Sequence, residues 1–150
     1  MKVCLVGSSG GHLTHLYMLK PFWKDKDRFW VMFDKEDARS LLENEKMYPC
    51  YYPTNRSLKA LIKNTKIVWT VLHKEKPDLI ISCGAAVAVP FFYIGKMIGA
   101  KLVYIEAFDR IDKPPMTGKM VYPIVDKFVV QWEEQKKFIQ RQLTLVAYSK

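Results

Sequence analysis

The chain has 150 residues, with 24 Lys and Arg against 15 Asp and Glu, a formal net charge of +9. Hydrophobic residues make up 49% and aromatic residues 13%, which excludes a disordered chain and is enough for one full core. Three cysteines, Cys4, Cys50 and Cys83, show no C-x-x-C spacing, which argues against a disulfide framework and a zinc site and suits a reducing cytoplasm.

Val3 to Val6 is far shorter than the roughly 7–15 apolar residues of a secretory signal. The longest nearly uncharged run, Ala85 to Ala100 with Lys96 inside it, falls below the roughly 20 residues of a membrane span. Neither a signal peptide nor a transmembrane helix is expected. Residues 1–75 carry 13 basic and 8 acidic side chains, and residues 76–150 carry 11 and 7. So even an excess points to an anionic partner, whether phospholipid surface, nucleic acid or phosphorylated substrate, or else serves solubility alone.

Lys2–Val6 is a short apolar run ending at Gly7, the pattern of a buried parallel strand. After the turn Gly7-Ser8-Ser9-Gly10-Gly11-His12, the spacing of Leu13, Leu16, Tyr17 and Lys20 predicts a helix ending before Pro21. Arg28–Phe33 reads as a second strand. Residues 35–46 read as a charged helix with Leu41 and Leu42 inward, and Tyr48–Pro53 as a weak edge strand holding two prolines. A long helix follows, capped by Asn55 or Ser57, with Leu58, Leu61, Ile62, Thr65, Val68, Trp69 and Leu72 on its inner stripe. Lys59, Lys63 and Lys66 lie beside that stripe. Asp78–Cys83 is a strand closed by Gly84, Ala85–Ile98 an apolar helix ended by Gly99, Lys101–Glu106 a strand, and Lys127–Trp132 the last strand. This alternation predicts an α/β fold, a Rossmann-like open parallel sheet with helices on both faces.

The glycine turn lies between the first strand and the first helix. Glycines there allow close backbone approach, and a helix start attracts an anion, so the turn is either a phosphate cradle or a tight turn with no ligand. A dinucleotide site is a rival reading, with Asp34 placed to hold a ribose. The spacing is G-x-x-G-G rather than G-x-G-x-x-G, and no P-loop sequence occurs. His12, next to the double glycine, is either a structural residue, a phosphate donor or a base.

Gly7-x-Ser9-Gly10-Gly11-His12 resembles the opening of MurG-type glycosyltransferases, GT-B enzymes that glycosylate lipid-linked acceptors. Asp78-Leu-Ile-Ile-Ser-Cys-Gly84, Val103-Tyr-Ile-Glu106-x-Phe108-x-Arg110, Thr117-Gly118-Lys119 and Tyr122-Pro-Ile-Val-Asp126-Lys-Phe-Val-Val-Gln-Trp132 resemble a narrower group, the membrane-recruiting subunits of split transferases. One branch of that group serves dolichyl-linked N-acetylglucosamine transfer; the bacterial branch serves capsule and exopolysaccharide assembly. The resemblance covers residues 1–138 and implies the N-terminal half of a GT-B enzyme, with residues 139–150 as an atypical tail. The sequence departs from the pattern at His15, where Glu is common, and at Ala85-Ala86, where Gly-Pro is common. Lacking the N-terminal membrane helix of eukaryotic members, the chain is expected in the bacterial branch.

The resemblance implies catalytic roles for His12 and Glu106. It also implies acceptor-phosphate binding by Gly7, Ser9, Gly10, Gly11, Gly84, Arg110, Thr117 and Gly118. It implies no metal and no cofactor, with the nucleotide-sugar donor held mainly by a separate catalytic subunit. The other expected partners are a lipid-linked saccharide acceptor and an anionic membrane surface on the cytoplasmic side, with no nucleic acid. Two stretches could contact lipid: Lys59, Lys63 and Lys66 on the long helix, and Phe91, Phe92 and Tyr93 on the apolar one. The alternative is that both helices pack on the sheet with their lysines solvated.

Overall fold

The computed structural model describes residues 1–7, 16–33, 36–50, 58–82, 88–107, 123–131 and 145–146. The strands are β1 (Lys2–Val6), β2 (Asp27–Phe33), β3 (Met47–Cys50), β4 (Leu79–Ser82), β5 (Lys101–Ala107) and β6 (Lys127–Gln131). The helices are α1 (Lys20–Trp23), α2 (Glu36–Leu41), α3 (Leu58–Glu75) and α4 (Ala88–Met97). One sheet holds all six strands in the order β3-β2-β1-β4-β5-β6, and every pairing is parallel. The chain therefore moves outward from β1 in one direction as far as β3, then returns to the other side of β1 for β4, β5 and β6.

A parallel sheet covered on both faces needs strands that are apolar on both sides, and β1 shows why the run Val3–Val6 qualifies. Val3 and Leu5 join one core cluster with Leu16, Trp23, Trp30, Met32 and Val103. Cys4 and Val6 point the other way, into a cluster with Phe29, Val31, Val68, Leu72 and Leu102. Burial pushes the Cys4 thiol pKa well up, and the nearby Glu75 charge adds to the effect.

Several local readings need correction. Leu16 and Tyr17 are helical and are followed by a turn, so the helix expected before Pro21 ends at Tyr17, and Pro21 itself lies in the first turn of a second short helix, α1, where its missing N–H costs nothing and its fixed φ suits the start. Leu42 is buried but Leu41 is exposed, because α2 ends at Leu41 and the chain turns. The inner stripe of α3 is Val68, Val71, Leu72 and Glu75, whereas Ile62, Thr65 and Trp69 are exposed. The expected end of α4 is realised: Gly99 adopts φ +90, a left-handed value that favours glycine after a helix.

The starts of β1 and β5 are each pinned by an aspartate. Asp78 Oδ2 accepts from the Lys2 N–H at 2.7 Å, and the Asp78 N–H donates to the Lys2 carbonyl. Asp126 Oδ2 likewise accepts from the Leu102 N–H at 2.7 Å, and its own N–H donates to the Leu102 carbonyl. Both aspartates belong to the sequence motifs quoted above, and both act at the amino-terminal edge of the sheet. Val146 also packs into the first core cluster, and its carbonyl accepts from Lys101 Nζ at 3.0 Å.

Candidate functional site

In an open parallel sheet the ligand crevice forms outside the carboxyl ends of the strands, where the strand order reverses. Here the reversal lies between β1 and β4, which pair from Val3↔Leu79 to Val6↔Ser82. Gly7, directly after β1, is buried, and its N–H donates to the Val31 carbonyl of β2 at 3.1 Å. This bond holds the first residue of the glycine turn against the sheet, so the turn leaves from the reversal point. Ser82, the last residue of β4, is fully buried beside it.

The other sequence-predicted residues divide as follows. Glu106 lies within β5, opposite Val130 of β6, because the strand runs on to Ala107. Ser9, Gly10, Gly11, His12, Gly84, Arg110, Thr117 and Gly118 lie outside the described residues, as does the side chain of Lys59. What the structure brings together is the set of strand ends that lead into these segments: Gly7, Ser82 and Ala107 close three adjacent strands. No group of three or more His, Cys, Asp or Glu that could hold a metal occurs among the described residues.

Two of the expected lipid contacts are overturned. Phe91 and Phe92 are both fully buried in the second core cluster, and Phe92 meets Tyr104 edge-on with centroids 6.2 Å apart, within the roughly 4.5–7 Å typical of such pairs. Helix α4 packs against both α3 and the sheet, so two consecutive side chains can be covered at once. Tyr93, Lys63 and Lys66 are exposed.

Charge at the opposite, amino-terminal edge is already satisfied. Glu75 accepts from Lys46 Nζ at 2.6 Å and from the Tyr48 hydroxyl at 3.1 Å, with Lys2 Nζ at 3.5 Å. Burial pushes the Glu75 carboxyl pKa up, but these bonds and charges outweigh it and hold the pKa below its ordinary value. Arg28 binds both oxygens of Glu45, at 2.6 and 2.9 Å, and Trp30 Nε1 donates to Glu45 at 2.9 Å. Burial again acts upward on Glu45, and the Arg28 and Trp30 bonds again win. A cleft of about 200 Å³ between Tyr17, Lys20, Arg28 and Glu45 lies at this edge. Its principal charges are paired with each other, so it is a poor candidate for the site.

Residues 51–147 match the family described as "Oligosaccharide biosynthesis protein Alg14 like". The human "UDP-N-acetylglucosamine transferase subunit ALG14" is 24% identical over 168 residues, covering 91% of this chain and 78% of the human protein. The Candida albicans protein of the same name is 38% identical over 66 residues, covering 40% of this chain and 30% of its own length. Among solved structures, Acinetobacter baumannii MurG superposes with a TM-score of 0.68 at 16% identity, over 87% of this chain and 45% of MurG. The UDP-N-acetylglucosamine 2-epimerase of Rickettsia bellii gives 0.69 at 18% identity, over 98% of this chain and 43% of the epimerase. These likenesses show a shared fold, and the chain spans less than half the length of either solved protein.

Proposed function

The chain belongs to the Alg14-like family of oligosaccharide biosynthesis proteins, and from that premise we propose that it is the acceptor-side subunit of a two-chain glycosyltransferase. In this reading it binds a lipid-phosphate-linked saccharide and brings a donor-binding catalytic chain to the cytoplasmic face of the membrane. The sugar is delivered from a nucleotide-sugar held mainly by the partner. N-acetylglucosamine is the first candidate sugar, as in the name of the human relative, and a hexose for capsule or exopolysaccharide is the second.

The observation that carries the reading is the buried Gly7, bonded to β2 at the strand reversal, where the glycine turn starts. A backbone turn there suits the phosphate of an acceptor. His12 then protonates or orients a phosphate or acts as base, Glu106 stands at the rim, and Ser9, Gly10, Gly11, Gly84, Arg110, Thr117 and Gly118 complete the cradle. The test is co-purification with the chain encoded beside it, followed by transfer assays on His12→Ala. A positioned acid or base is worth ~10²–10⁴-fold in rate, so a loss of at least about 100-fold with unchanged complex formation is expected. Activity within about twofold of wild type, with unchanged acceptor binding, would make His12 structural. Tight NAD binding by titration would instead favour a dinucleotide domain.

A further inference from the structure

Two buried hydroxyls lie side by side in the sheet at the strand reversal. Leu79 and Ile81 of β4 enter the first core cluster and Ile80 the second. Alternation therefore turns Ser82 to the second face, the one covered by α3 and α4. In register, Val6 of β1 stands on one side of Ser82 and Tyr104 of β5 on the other, and both belong to the second cluster. Ser82 is fully buried and Tyr104 is 1% exposed. The two side chains thus share one face on neighbouring strands, which lie about 4.8 Å apart.

Their lengths differ in a useful way. The Ser82 hydroxyl sits one carbon from the main chain, at the level of the sheet. Tyr104 reaches to the helix layer, where its ring meets Phe92 of α4 edge-on. The chain that joins β4 to α4, residues 83–87, starts at Ser82 and ends at Ala88. It must climb from the level of one hydroxyl to the level of the other.

Packing alone does not call for these groups. Ala and Phe would fill the same space, and a buried hydroxyl costs the core unless it is hydrogen-bonded. The polar groups nearest by chain connection are the main-chain N–H and C=O groups of residues 83–87, between the end of β4 and the start of α4. Buried polar networks of this kind fix one arrangement of the chain around them.

We propose that Ser82 and Tyr104 are positioning residues whose hydroxyls hold the main chain of residues 83–87, so that Gly84 meets the acceptor phosphate in one conformation. This rests on the acceptor-side reading above and adds a buried layer beneath that site. Ser82 closes β4 where the strand order reverses, and its register partner Val6 directly precedes Gly7 and the glycine turn. Neither hydroxyl touches the acceptor; both act through the chain they hold.

The experiment uses Tyr104→Phe and Ser82→Ala, each of which deletes a hydroxyl and nearly keeps the packing shape. Amide hydrogen exchange of the full chain should show residues 83–88 exchanging about three- to tenfold faster in both variants, the size of one lost hydrogen bond, with β1, β2 and α3 unchanged. In the assembled pair of chains, both variants should raise KM for a lipid-diphosphate acceptor by a similar factor and leave KM for UDP-N-acetylglucosamine unchanged. Melting temperatures identify folded variants, and Tyr104→Phe serves alone if Ser82→Ala does not fold. Exchange that is unchanged at residues 83–88, or raised evenly along the whole chain, would overturn the proposal. So would faster local exchange with an unchanged acceptor KM. If the wild-type pair transfers no sugar, the transferase reading fails, and exchange at residues 83–88 still decides whether the hydroxyls hold that segment.

Discussion

Phe91 and Glu75 are the residues on which sequence and structure differ most usefully. Four consecutive apolar side chains, Phe91-Phe92-Tyr93-Ile94, look like more than one helix face can bury. The sequence does not show that α4 packs on the sheet with α3 beside it, so that two adjacent directions are both interior. Phe91→Ala should therefore act on stability, costing about 3–5 kcal/mol, and leave salt-resistant vesicle binding of the folded fraction intact; thermal melts and flotation read the two effects apart. Glu75 was hidden for another reason. It reads as the last charge of a surface helix, yet it ties Lys2 of β1, Tyr48 of β3 and Lys46 just ahead of β3 to the end of α3.

The acid sensitivity follows from that residue and from Glu45. Both have folded-state pKa values held below the ordinary carboxylate range. The unfolded chain therefore takes up protons first, so stability is full above the ordinary carboxylate pKa of about 4 and is lost as pH falls below it. Urea midpoints should be flat from pH 7 to about 5 and fall steeply below about 4. Glu75→Gln should be less stable at pH 7 and show a shallower fall. An equal slope in wild type and variant would mean that Glu75 contributes nothing to the acid transition.

At the scale of elements, the strands were the most legible part. Short apolar runs closed by glycine or a charge have few other uses in a chain of this size, and β1, β2, β4, β5 and β6 stand within a residue or two of their expected bounds. Edge strand β3 was faint because Pro49 interrupts it, which an edge tolerates. The rotation of α3 was not legible. Its sequence is apolar on adjoining flanks, and only the position of α4 decides which flank is interior. The contact between α4 and β4 is close: a Cβ added at Gly95 would collide with Ile80 Cδ1. Gly95→Val should therefore cost about 1–3 kcal/mol through overpacking, seen as a lower urea midpoint. A neutral result would mean that α4 can move outward freely.

For the whole molecule, the strand reversal between β1 and β4 is what turns a list of glycines and charged residues into one candidate site. Sequence spacing alone placed the glycine turn after a strand, but the neighbours of that strand are set by chain topology. The segments carrying His12, Arg110 and Thr117 remain readable only through the strands that lead into them. Among the described residues the fold supplies one Rossmann-like sheet, and it is membership of the Alg14-like family that motivates the proposed partner chain. The most direct measurement is sugar transfer from UDP-N-acetylglucosamine to a lipid-diphosphate acceptor by this chain, by its partner, and by both together. The account predicts product only when both chains are present; transfer by this chain alone would contradict it.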